Sequence, residues 1–369
     1  MSDCSTHLEI TRDATCRNPV STCLLGKISV GRRTLYALMG AGLHGLNGLH
    51  PSVSYHIYTI YVIPRMLSGL ESIVPSKKDI QELELFHRSV LRNIQHLPKN
   101  AACAAVYTLL GAMPVEGILD IRCITLYGAA TRCPGSTIHN LAHQQLLHKD
   151  DLPPKSWFKR VAQLHEKYSL PHPLAVLESG TTKQQWKHKV SRAVKLYWEE
   201  KLQLEVTSKS SLAYLSKTAC NLGKPHKLWS TVNFDKRDIR RACIKAELLC
   251  GTYNLQVNRS KFNQYDVNPQ CPMCHTAAED RPHFLRHCPS LQLPRSIYLP
   301  RLRSLLPPEV DAGCSTDDDL MPQIILNCPR SVVMAQTQFN LKWTALECAS
   351  RHLCYALHHK RAYLMSYRP

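Results

Sequence analysis

The sequence lacks an apolar run long enough to span a bilayer. Its most apolar stretch, Val53 to Val74, is interrupted by His56, Pro64, Arg65 and Glu71. A secretory leader is also missing from the first residues, since Met1 to Ile10 contains Asp3, His7 and Glu9 without an apolar core. Internal repeats are not visible, and alternating strand patterns are scarce. Acidic residues are in short supply: 28 Asp and Glu face 46 Lys and Arg. These absences argue against a membrane span, a solenoid and a β-rich domain. They lead us to expect an intracellular protein, cytoplasmic or nuclear.

What is present fits a globular chain of mainly α class. With 369 residues, 44% of them hydrophobic and 20% charged, the chain can bury two or three modest cores. Its sixteen cysteines suggest a disulfide framework at first sight. Seven, however, stand singly in helical patterns (Cys103, Cys123, Cys220, Cys243, Cys250, Cys348 and Cys354), where a free thiol behaves as a small hydrophobe. In a reduced compartment they are expected to stay unpaired.

The clearest helix runs from Ser76 to Leu97. Ser76 and Asp79 form a capping box, apolar residues recur every three or four positions from Ile80, and Pro98 ends it. Further helices are predicted over Lys27–Leu43, about Ala101–Leu110, Val115–Tyr127, Gln184–Val206, from the Asp235 cap to Gly251, and over Gln336–Met365. The prolines at 153, 154, 171 and 173 suggest a linker over 134–180, and a proline-rich, acidic stretch suggests a loose connector over 293–335. The expected divisions are 1–26, a helical domain over 27–133, the linker, a basic helical region over 181–262, a metal element over 263–292, the connector, and a C-terminal helix over 336–369.

The most specific signal is Cys271-Pro-Met-Cys274, followed by eight residues, His283, four more residues and Cys288. A Cys-x-x-Cys turn can aim two sulfurs at one point, and a short helix can close the site with His283 and Cys288. Three thiolates and one imidazole suit one Zn²⁺ in a tetrahedron. With all four positions filled by protein, the site reads as structural. His287 could take the place of Cys288 and give a Cys₂His₂ site, although eight intervening residues are short for that finger, which has about twelve. A zinc hydrolase would need an open position and a general base; Glu279 and Asp280 inside the loop read instead as a solvated turn or helix start.

Charge is concentrated in Thr181–Phe262, where 17 Lys and Arg meet 6 Asp and Glu. Such a field attracts polyanions, RNA or DNA foremost. Arg237, Arg241 and Lys245 follow one another at i, i+4 and i+8, a row about 12 Å long opposite Ile239, Cys243, Ala246 and Leu249. Lys183, Lys187 and Lys189 make a second cluster. These six residues are the expected nucleic-acid contacts. Trp186, Trp198, Trp229 and Tyr253 are assigned to the core rather than to base stacking.

Together these residues give the chain a resemblance. Thr6-His-Leu-Glu-Ile10 is similar to the x-Leu-Gly-Ile hairpin that follows the palm in non-LTR (LINE-type) retrotransposon reverse transcriptases, with Glu9 in place of the glycine. Arg32-Arg-Thr-Leu-Tyr-Ala37, and Tyr61-Val-Ile-Pro-Arg65 through Gly69-Leu-Glu71, look like the helical thumb. Leu249-Leu-Cys-Gly-Thr-Tyr253, Asn258-Arg-Ser-Lys261 and the Cys₃His spacing look like the zinc-binding element of the same enzymes. The resemblance covers residues 6 to 290 and implies a thumb-like bundle, a basic region and a zinc element that together hold RNA or DNA. No Tyr/Phe-x-Asp-Asp occurs to hold catalytic metal ions, and no endonuclease is recognisable. The expectation is therefore a non-enzymatic nucleic-acid-binding fragment. The competing reading is a zinc-stapled structural or protein-interaction module.

Overall fold

Reciprocal capping at Ser76 and Asp79 starts one of the longest helices as the sequence predicts. In the computed structural model the Ser76 amide and hydroxyl donate to Asp79 Oδ2 at 2.8 and 2.7 Å, and the Asp79 amide donates to Ser76 Oγ at 3.2 Å. The Ser21 hydroxyl donates to the other carboxylate oxygen at 2.6 Å. The structure describes residues 4–7, 10–13, 18–44, 47–215, 220–261, 267–329 and 339–366. Leu8 and Glu9 of the hairpin motif, Gly45 and the expected helix start at Gln336 lie outside the described residues.

The architecture is mainly α. A short antiparallel hairpin pairs β1 (Cys4–His7) with β2 (Ile10–Asp13). Helices α1 (Pro19–Met39), α2 (Pro51–Leu67), α3 (Lys77–Ile94), α4 (Cys103–Leu110) and α5 (Val115–Thr131) follow. Then come α6 (Thr137–Leu147), α7 (Trp157–Lys167), α8 (Pro173–Glu178) and α9 (Lys183–Ser208). The C-terminal portion holds α10 (Lys227–Ser230), α11 (Lys236–Leu249), α12 (Gln256–Lys261), α13 (Gln292–Arg303), α14 (Pro308–Thr316), α15 (Leu320–Asn327) and α16 (Phe339–Ser366). Among the described residues no single helix is long and apolar enough to cross a membrane.

The chain divides into two compact units that interleave in sequence. The first comprises residues 1–43, 55–90 and 113–201; the second comprises 44–54, 91–112 and 202–369. This departs from the expected divisions in two instructive places. The supposed linker over 134–180 is helical and belongs to the first unit, because its prolines sit at helix starts and turns, where a missing amide costs nothing. Leu146, Val161, Leu164, Val176 and Leu177 are all buried. The supposed connector over 293–335 likewise forms α13, α14 and α15, with Leu302, Cys314 and Ile324–Leu326 in the core of the second unit.

In the first unit, α5 and α9 run antiparallel through two glycine seats. An added Cβ at Gly128 would lie 2.1 Å from the Trp186 ring, and one at Gly117 would lie 2.6 Å from Trp198 Nε1. Trp186 Nε1 donates to the Ile124 carbonyl at 3.1 Å, and Trp198 Nε1 donates to Tyr168 Oη at 3.3 Å. Both indoles are core residues, as the sequence assigns them. Below them the buried Asp120 carboxylate is held by Arg160 at 3.3 Å, Lys167 at 2.9 Å and the Tyr168 hydroxyl at 2.6 Å. Gly128→Ala is therefore expected to destabilise the first unit by about 1–3 kcal/mol or more, because the rigid indole cannot step aside without losing its hydrogen bond. Urea unfolding followed by tryptophan fluorescence checks this; an unchanged midpoint would show that α5 and α9 do not meet as described.

In the second unit α16 is the central element. Leu346, Leu353, Cys354 and Leu357 are buried along it, and it packs on α11, α13 and α15. Three of its charged residues are also buried or nearly so. Glu347 reaches Lys245, Arg351 reaches Asp238 at 3.0 Å and the Thr231 hydroxyl at 2.7 Å, and Arg361 reaches Glu279.

Candidate metal centre and basic helices

The Cys-x-x-Cys turn is held open by backbone bonds before any ion is considered. A bridge between Gln270 and Ala278 closes the base of the loop, and the Cys271 amide donates to the Ala277 carbonyl at 2.7 Å. The chain turns sharply after Cys274 because His275 adopts a left-handed conformation (φ 57°). The amides of Met273 and Cys274 point at the Cys271 sulfur, and that of Thr276 points at the Cys274 sulfur. Amide donors on a sulfur favour its thiolate form.

The return segment begins where the Asp280 carboxylate accepts the His283 amide at 2.8 Å. Asp280 thus starts the helical turn, as expected. Residues His283–His287 then form a single wide turn in which the Cys288 amide donates to the His283 carbonyl at 2.8 Å. Wide turns of this kind insert an extra residue and re-aim side chains. Here the result brings His283 and Cys288 to the same side, while His287 is exposed. Phe284 and Leu285, fully buried, anchor the turn.

The donor atoms of Cys271, Cys274, His283 and Cys288 all lie within 4.8 Å of one another. Cys271 Sγ and Cys288 Sγ are 3.8 Å apart, and Cys274 Sγ is 3.3 Å from His283 Nε2. The structure thus brings together the four residues expected from the spacing, with Cys288 in the cluster and His287 outside it. Four donors converging from two short segments can hold one metal ion. Burial and the neighbouring Cys271 push the Cys288 thiol up to about 12. Burial also raises Cys274, but hydrogen bonds from Thr276, Cys271 and His283 outweigh it and bring that thiol down to about 6. Without a cation only part of the set ionises readily; a bound dication would let three thiolates share so small a space.

Around the cluster lie residues that the spacing alone did not single out. Glu279, read from sequence as solvated, is fully buried. Its carboxylate accepts from the Gln256 amide at 2.9 Å and from Arg361 at 2.7 and 2.9 Å, so it ties the metal loop to α12 and α16. Arg295 donates to the carbonyls of Cys288 and Phe284. Tyr253 packs its ring at a tilt of 36° against Phe284, centroids 5.4 Å apart, and its hydroxyl bonds His358 Nδ1 at 2.7 Å. Asn258 donates to the carbonyls of Gly251 and Tyr253 at 3.1 and 2.9 Å. The segment from Leu249 to Lys261 therefore serves as the platform for the loop.

The basic residues divide into three groups. Lys183, Lys187 and Lys189 are exposed on α9, in the first unit. On α11, in the second unit, Arg237 is exposed and Arg241 half-buried. Lys245, expected in the same outward row, is 0% exposed. Its ammonium lies 2.6 Å from Glu347 Oε2 and 2.5 Å from the Ser350 hydroxyl, so it is a core ion pair and not a phosphate contact. The reason is geometric. The C-terminal half of α11 is covered on more than one side, by α15 and α16, so the row at i, i+4 and i+8 leaves solvent before its last member. The exposed cations that continue the surface are Lys236 and Arg240.

No protein-family profile, curated protein or solved structure matches this chain.

Proposed function

We propose that the chain is a non-catalytic nucleic-acid-binding fragment of the non-LTR reverse transcriptase type, stapled by one structural Zn²⁺. The observation that carries the reading is the convergence of three cysteines and one histidine within 4.8 Å in a chain of net charge +18. Zn²⁺ suits this donor set because it accepts thiolate and imidazole equally and prefers four ligands in a tetrahedron. Bound there, it would cross-link the Cys271–Cys274 turn to the His283–Cys288 turn and supply folding energy rather than chemistry. Of the two acids inside the loop that could suit a general base, Glu279 is engaged by Arg361 and the Gln256 amide, and Asp280 by the His283 amide. The N-terminal hairpin, the helical content and the platform from Leu249 to Lys261 support the resemblance. Each unit would offer its own contacts to RNA or DNA: the exposed lysines of α9 in the first, and the exposed Lys236, Arg237 and Arg240 of α11 in the second.

The second reading, a zinc-stapled interaction module without nucleic-acid function, is favoured by the burial of Lys245, which removes one of the six assigned contacts. Salt dependence separates the two. Lys183, Lys187 and Lys189 replaced together by Gln, or Lys236, Arg237 and Arg240 replaced together, are each expected to flatten the slope of log affinity against log salt by about two to three units, with similar losses on all sequences. Binding that is weak and insensitive to salt in the unmodified protein would favour the interaction module.

A further inference from the structure

Beside the α16 ion pairs, the second unit carries a groove of about 540 Å³ lined by α13, α16 and Arg241 of α11. This lies within the size range of ligand sites, ~300–1,000 Å³. Its floor is apolar and open, with Leu293 63% and Ile297 60% exposed. Tyr298, Tyr355 and Tyr363 supply flat rings along it. The charged lining residues, Arg241 and Lys360, are of one sign, with no carboxylate among the lining residues. Lys360 Nζ sits 5.1 Å from the centre of the Tyr363 ring, so cation and aromatic face are offered together. Two other depressions differ in this respect, one carrying Asp280 and Asp319, the other Asp150 and Glu166.

We infer that this groove binds single-stranded nucleic acid, with unpaired bases against the tyrosines and apolar floor and phosphates on Arg241 and Lys360. The inference rests on the nucleic-acid reading and adds the place and the strand form. A single strand offers what the groove asks for, planar apolar faces and an anionic backbone in alternation. A duplex hides its base faces in the stack and offers only phosphates and groove edges. An apolar helix of another protein would satisfy the floor but leave an all-cationic rim without a counterpart.

Opposite charges at one exposed position test this. Ile297 is solvent-facing, so Ile297→Glu and Ile297→Lys should both fold, with circular dichroism as the check. The probe is a fluorescent oligouridylate of about 12 nucleotides, with a duplex of the same length alongside. Ile297→Glu is expected to weaken the single strand about tenfold or more and the duplex by less than about threefold. Ile297→Lys is expected to tighten the single strand several-fold. Photocrosslinking of a 4-thiouridine version should label peptides containing Tyr298, Tyr355 or Tyr363. Salt-sensitive binding that neither variant alters, with crosslinks only elsewhere, overturns the groove and leaves the nucleic-acid reading standing. Absence of salt-sensitive binding in the unmodified protein overturns both. Equal weakening by both variants also overturns the inference, because it would mark the patch as an apolar docking face indifferent to charge.

Discussion

Cys271→Ser is expected to lose the bound metal and unfold residues 267–291 as a local unit. A metal site built from two turns has little apolar core of its own, so its binding energy, about 10–16 kcal/mol in isolated structural zinc segments, is largely its folding energy. Cys271 is fully buried and receives two backbone amides, so a hydroxyl there would be a poor ligand left among donors. The effect should not end at the loop. Glu279 is placed by that loop and holds Arg361 of α16 and the first amide of α12, so hydrogen exchange should rise in the last two turns of α16 as well. Metal analysis of the purified protein, with and without a chelator, gives the first readout and hydrogen exchange the second. His287→Ala is the matched control, expected to keep one full equivalent of metal because that ring faces solvent. If Cys288→Ser kept its metal while His287→Ala lost it, the assignment of the fourth ligand would fall; a protein purified natively without metal would remove the site.

Lys245→Ala should cost about 3–5 kcal/mol, whereas Arg237→Ala, on the same helix two turns earlier, should change stability by less than about 0.5 kcal/mol. The difference lies in what each leaves behind. Removing Lys245 strands the Glu347 carboxylate, 2% exposed, without the one cation that hydrogen-bonds it among the described residues. Burial alone would raise the Glu347 pKa, but Lys245 and, after it, Lys227 hold it below the usual glutamate value. A depressed carboxylate contributes stability that is present above its unfolded pKa, about 4.3, and is lost as pH falls toward the folded value. The gap between the unmodified protein and Lys245→Ala should therefore be widest near neutrality and narrow in acid, where protonated Glu347 no longer needs a partner. Lys245→Met combined with Glu347→Leu should recover much of the loss, since a pair replaced whole leaves no unpaired charge. Chemical denaturation at pH 7 and pH 4 measures both effects. Equal sensitivity of Lys245→Ala and Arg237→Ala would return Lys245 to the surface.

The metal cluster was legible because its information is local. Cys271, Cys274, His283 and Cys288 lie within 18 residues, and the turns that join them are specified by Pro272, His275, Asp280 and the segment between. The capping box at Ser76 and Asp79 was legible for the same reason. The charges on α11 were not, because a lysine one helical turn beyond Arg241 looks the same whether water or a carboxylate awaits it, and Glu347 is 102 residues away. A signal did exist: Glu347 and Arg351 sit beside the apolar stripe of Leu346, Leu353 and Leu357, where a charge must find a partner. Glu279 carried no such mark, being one acid in a polar loop.

The sequence by itself determined the mainly α class, the starts of the helices at Ser76 and Asp235, the core role of Trp186, Trp198 and Trp229, and the four donors of the metal cluster. Each follows from periodicity, capping or spacing within a few turns of chain, where geometry is fixed by the backbone. Only the tertiary structure decided that 134–180 and 293–335 pack as helices, that the chain interleaves into two units, that Lys245 and Glu279 are buried in ion pairs, and that α13 and α16 leave a cationic, aromatic groove. Those outcomes depend on which surfaces meet, and burial of a polar side chain is set by its partner's position in space rather than by its own neighbours in sequence.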